Sequence, residues 1–86
     1  MANHASAKKR IRQSAKRTAR NRHVRTTLRS QVKRVRAAIE AGDKDTANSA
    51  LGRAVSLIDR AVAKGIYHRR TGSRYIARLT SRVHAI

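Results

Sequence analysis

Sixteen arginines and six lysines stand against four carboxylates in this sequence, and their spacing limits the chemistry open to it. The acids, Glu40, Asp43, Asp45 and Asp59, lie within one short segment. Asp43 and Asp45 sit where helix capping accounts for them. The histidines, His4, His23, His68 and His84, share no metal-ligand spacing with each other or with an acid. There is no cysteine, so thiolate sites and disulfides are excluded, which fits a reducing compartment. No glycine-rich phosphate loop or nucleophile elbow occurs. The sequence therefore does not read as an enzyme, and it calls for no cofactor and no small-molecule substrate.

What remains is cation chemistry. Thirteen basic residues fall between Lys8 and Arg36, with no acid before Glu40. Six more lie from Lys64 to the end, again without an acid. The middle is nearly neutral, so the chain reads as a scaffold between two cationic contact surfaces. A net charge of +18 on 86 residues demands a polyanion, because neutralising phosphates releases counterions and drives binding. Arginine dominates, and its planar fork suits bidentate phosphate contacts. Only Tyr67 and Tyr75 are aromatic, so the stacking sheets of single-strand readers are absent. The expected mode is recognition of backbone and folded shape. On charge and placement alone, Arg12, Lys16, Arg17, Arg20, Arg22, Arg25 and Arg29 are candidate contacts, with Arg69, Arg70 and Arg78 near the other end. Tyr67 and His68, in a basic connection, are positioned for a sugar or base, whereas Tyr75 reads as a half-buried helix residue.

The elements that must position these residues are helices. No proline occurs, and no glycine precedes Gly42. Residues 6–41 read as one long helix of roughly 50 Å, with residues 1–5 a tail and Ser6 its N-cap. From Val24 an apolar stripe appears at Val24, Leu28, Val32, Val35 and Ile39, as one helix face requires. Before Val24 the only large aliphatic is Ile11. Lys8, Arg12, Lys16 and Arg20 stack at four-residue steps, each pair costing roughly 0.2–0.5 kcal/mol in an isolated helix. Residues 6–23 are therefore expected to be largely unstructured in the free protein and to become helical on their partner.

Gly42 and Asp43 mark a stop and a restart, so helix two spans 43–64. Its apolar face carries Ala47, Ala50, Leu51, Ala54, Val55, Ile58, Ala61 and Val62. Gly52 interrupts it, explained equally by close packing or by an incidental surface position. Lys64 and Gly65 end it, and helix three spans 70–86 with Ile76, Leu79, Val83 and Ile86 on one face. Short connections make neighbours antiparallel. The expected fold is all-α, a single domain at 1–86: an antiparallel three-helix bundle with a long, protruding basic N-terminal helix.

The opening MANHASAKKR, the string AAIEAGDK (Ala37 to Lys44) and the segment IDRAVAKGIYHRR (Ile58 to Arg70) together resemble the bacterial small-ribosomal-subunit protein 20 family, over essentially the whole chain. That resemblance implies a three-helix bundle that binds small-subunit 16S ribosomal RNA directly, early in assembly, as a monomer within the cytoplasmic ribosome. The implied partners are the 5′ domain and the long penultimate helix of that RNA. The positions it carries over are Ser6, Lys8, Lys9 and Arg10, and Lys64, Gly65, His68 and Arg74. The chain departs from the family pattern at Arg70, Gly72 and Ser73, and at Ile76 where a basic residue is usual.

Rival classes fit less well. A DNA-compacting, histone-like protein shares the charge but usually needs dimerisation or apolar wedges, and no unpaired apolar face is evident for the first. A membrane-active helix would want Phe or Trp and an apolar N-terminal face, and both are missing. A mitochondrial transit peptide matches the first 23 residues in composition, but the basic run continues unbroken into the apolar stripe.

Overall fold

The computed structural model describes residues 2–86, with side chains from His4 onward. Three helices account for nearly all of it: α1 (Ala2–Glu40), α2 (Lys44–Ala63) and α3 (Arg69–His84). Both turns are built by glycines in the left-handed region, Gly42 at φ 70° and Gly65 at φ 75°. At the first, Gly42 N–H donates to the Ile39 carbonyl and Asp43 N–H to that of Ala38. At the second, Gly65 donates to Val62 and Ile66 to Ala61. Each pair is a Schellman closure, which satisfies carbonyls that a helix end would otherwise leave bare.

Asp43 caps α2 as expected. The Thr46 hydroxyl donates to its carboxylate at 2.6 Å and the Thr46 N–H at 3.2 Å. These bonds hold the Asp43 carboxyl below its usual range. A depressed carboxylate stabilises the folded state at neutral pH, and that contribution is lost as pH falls through its folded pKa.

Two boundaries differ from expectation. Residues 2–5 continue α1 rather than forming a tail, so Ser6 lies inside the helix and caps nothing; Met1 lies outside the described residues. The N-terminal half is helical throughout in the structure, against the expectation of a disordered segment. No glycine or proline interrupts it, and alanine, arginine and lysine favour helix strongly enough to extend one already started. Helix three begins at Arg69 and ends at His84.

The core lies between the second half of α1 and the other two helices. Leu28, Val35 and Ala38 of α1 are buried with Ala47, Ala50, Leu51, Ala54, Ile58 and Ala61 of α2 and with Leu79 and Val83 of α3. Val24, Val32 and Ile39 are only half-buried. One polar residue joins the core stripe: Gln31 is 6% exposed, and its Nε2 donates to the Ala50 carbonyl at 3.0 Å. A buried amide must find such a partner, and this bond helps fix the register of α1 on antiparallel α2.

Burial on α1 begins at Asn21, and residues 4–20 are exposed on every side. The molecule therefore measures 63 × 21 × 14 Å with a radius of gyration of 17.4 Å. A compact chain of this length would have a radius near 12 Å. The difference is the rod.

The glycines of α2 and α3 have opposite roles. A Cβ at Gly52 would meet nothing within 4 Å, so no close helix contact explains that residue. A Cβ at Gly72 would stand 2.6 Å from Val62 Cγ2 and 3.3 Å from Ile58 Cγ2. Gly72 is thus what lets the first turn of α3 close on α2. Gly72→Ala is expected to destabilise by about 1–2 kcal/mol, the overpacking cost less the propensity gain. Gly52→Ala is expected to stabilise by roughly 0.5–1 kcal/mol. Thermal melts of the two variants should therefore move in opposite directions by several degrees.

Candidate nucleic-acid interface

Placed on the fold, the candidate contacts separate into three groups. Ser6, Lys8, Lys9, Arg10, Arg12, Lys16, Arg17 and Arg20 occupy the bare rod, Arg22 follows at its base, and all are exposed. At about 100° per residue, the row Lys8–Arg12–Lys16–Arg20 and the row Arg25–Arg29–Lys33 lie on sides of α1 roughly 120° apart. The rod and its continuation thus present cations in more than one direction.

The second group sits where α2 turns into α3, at the end of the bundle from which the rod emerges. Lys64, His68, Arg69 and Arg70 are exposed there. His68, singled out in the sequence as a candidate RNA contact, has a structural role here. Its Nδ1 accepts the Arg70 N–H at 3.1 Å and caps α3. The other ring nitrogen, Nε2, is left for a further hydrogen bond. Arg74 is exposed on α3 a turn further along.

The third group was only partly anticipated. Between α1 and α3, which touch far less than either touches α2, runs a groove of about 650 Å³. Arg25 and Arg29 line one side with Lys33 and Arg36; Arg78 lines the other with Arg82. Lys33, Arg36 and Arg82 were not singled out as contacts, although Arg82 continues the four-residue ridge of Arg74 and Arg78. Both tyrosines line the same groove. Their rings meet edge to face, with centroids 6.1 Å apart at 88°. Tyr75 is 40% exposed, more open than the half-buried position read from its helix.

Among the described residues no group of His or acidic side chains could hold a metal ion. None of the described helices is long and apolar enough to cross a membrane. The exposed guanidinium and ammonium groups of the rod and of the groove rims have the chemistry that phosphate contacts use.

Comparison with known proteins gives the chain a family. The model of the family described as ribosomal protein S20 matches residues 2–84. The chain is 52% identical to small ribosomal subunit protein bS20 of Geotalea daltonii, covering 100% of this chain and 99% of that protein. It is 54% identical to the protein of the same name from Geotalea uraniireducens, with the same coverage. It is 51% identical to that of Syntrophus aciditrophicus, over 99% of this chain and 96% of the relative.

Proposed function

The chain belongs to the ribosomal protein S20 family, and on that premise we propose that it binds 16S ribosomal RNA directly, through phosphate and shape, and stabilises the folding of that RNA during assembly. It is a structural component and not an enzyme. In this reading it acts as a monomer within the cytoplasmic ribosome. The observation that carries the reading is the rod: residues 4–20 are helical, cationic and wholly exposed, with no protein surface to lie on. Its stacked like charges make a polyanion the surface that suits it. The proposed RNA contacts are Ser6, Lys8, Lys9, Arg10, Arg12, Lys16, Arg17, Arg20, Arg22, Arg25 and Arg29 on α1. At the α2–α3 connection and on α3 they are Lys64, His68, Arg69, Arg70, Arg74 and Arg78.

The two basic rows of α1, facing apart, support contact with two RNA elements rather than one. The proposed pair is the 5′ domain and the long penultimate helix. A protein wedged between two RNA surfaces neutralises phosphates on both, and so lowers the repulsion that keeps them apart.

A salt titration tests this. With about eight to twelve phosphates neutralised, log K for 5′-domain RNA should fall with log salt at a slope of roughly −6 to −10. A slope shallower than about −3 would mean that the rod does not lie on phosphate. Duplex DNA of equal phosphate count serves as the control. Equal affinity for it at equal salt would favour the DNA-compacting alternative.

A further inference from the structure

We propose that the groove between α1 and α3 seats one unpaired nucleotide of an RNA strand, its base stacked on Tyr75 and its flanking phosphates held by the two cationic rims. This rests on the RNA-binding reading above and adds a site to it, since shape and phosphate recognition alone require no base contact. The chain has two aromatic residues, and both line this one groove. On the α1 rim Arg25, Arg29 and Lys33 rise by about 6 Å per step, a spacing comparable with successive phosphates of one strand. Arg78 and Arg82 face them across the groove, and no acid lines it.

The floor decides what kind of occupant fits. Leu28, Ile58 and Leu79 are at most 6% exposed and already belong to the core. The apolar surface left open is Val32 and the two tyrosines. A docking helix from an acidic partner would need several exposed anchors along two or more turns, and they are not present. A base needs a single aromatic face and an apolar neighbour. The edge-to-face contact with Tyr67 restricts the Tyr75 ring before any ligand arrives. The volume, about 650 Å³, is within the range of small-ligand sites.

The full chain contains no tryptophan, so tyrosine fluorescence reports on this groove directly. The probes are a short single-stranded oligoadenylate RNA, the same oligomer with its bases removed, and a paired RNA hairpin of equal phosphate count. The oligoadenylate should quench the fluorescence and bind roughly 5- to 150-fold more tightly than the abasic strand. Tyr75→Phe should keep that preference. Tyr75→Leu should lose it while the salt slope stays unchanged. The comparison of intact and abasic strands on the unaltered protein decides the matter even if Tyr75→Leu folds poorly. Equal binding of the two strands, or equal quenching by the hairpin, would overturn the proposal. Displacement of the oligoadenylate by an acidic amphipathic peptide of equal charge at lower concentration would assign the groove to a protein instead. Wild-type affinity for 5′-domain RNA separates the two readings. Its absence would defeat the RNA function as a whole, whereas normal affinity without base-dependent quenching would defeat the groove site alone.

Discussion

Replacing Arg12, Lys16 and Arg20 together by alanine is expected to leave the bundle melting where it does now while cutting affinity for 5′-domain RNA by roughly 100-fold or more. All three side chains are exposed and lie N-terminal to the point at which burial begins. They touch nothing in the core. Their removal also eliminates like-charge repulsion at four-residue steps and installs the best helix former, so free-state helicity should hold or rise. Each lost cation–phosphate contact at an exposed surface is worth about 1 kcal/mol, and three of them about 3 kcal/mol, or two decades in Kd. The salt slope should become shallower by about two to three units. Thermal melts and RNA titrations together check it. A variant that melts much lower yet binds RNA normally would make the rod a structural element instead.

Val35→Asp is expected to do the reverse. Val35 is fully buried between α1 and its neighbours. An aspartate there either carries an unpaired charge into the core or remains protonated with unsatisfied oxygens, at a cost of roughly 2–7 kcal/mol or more. The rod adds nothing to the core, and a single core drawn from the shorter bundled part supplies only about 3–5 kcal/mol. The bundle should therefore be unfolded at room temperature, as circular dichroism and the loss of a cooperative melt will show. Val32 is half-buried at the edge of the groove, so Val32→Asp should be milder because its carboxylate can reach water.

The helix boundaries at Gly42 and Gly65 were legible because one residue type does one thing there: it supplies a positive φ at a helix end. The apolar stripe of α1 was legible for the same kind of reason, since period and burial follow from helix geometry. Gln31 was not. It occupies a core position between Leu28 and Val35, but a polar side chain in a stripe looks like a gap until its partner, a carbonyl nineteen residues away, is known. Gly52 and Gly72 could not be ranked from sequence, because what a Cβ would meet depends on the neighbouring helix. The groove was missed because it is made by an absence of packing between α1 and α3, which no periodicity in either strand of sequence encodes. Tyr75 was read as part of a helix face when its value lies in what that face leaves open. The beginning of α1 was misplaced since Ser6 is a good cap by type, whereas nothing upstream of it stops a helix.

Because α1 runs without a break from the core into the rod, the rod does not have to begin as a helix by itself. Initiating an isolated helix is improbable, by a factor of about 10⁻³, since several residues must be ordered for the first bond. Here the segment from Leu28 to Ile39, fixed by the core, serves as that nucleus. Each further turn toward the N-terminus then requires only propagation, at about nanoseconds per residue. Thr26 and Thr27, whose hydroxyls donate to the carbonyls of Arg22 and His23 one turn back, lie at the seam across which growth passes. The bundle is in this sense a seed crystal: whatever length of rod is melted at a given instant, its regrowth starts from a face that is already ordered.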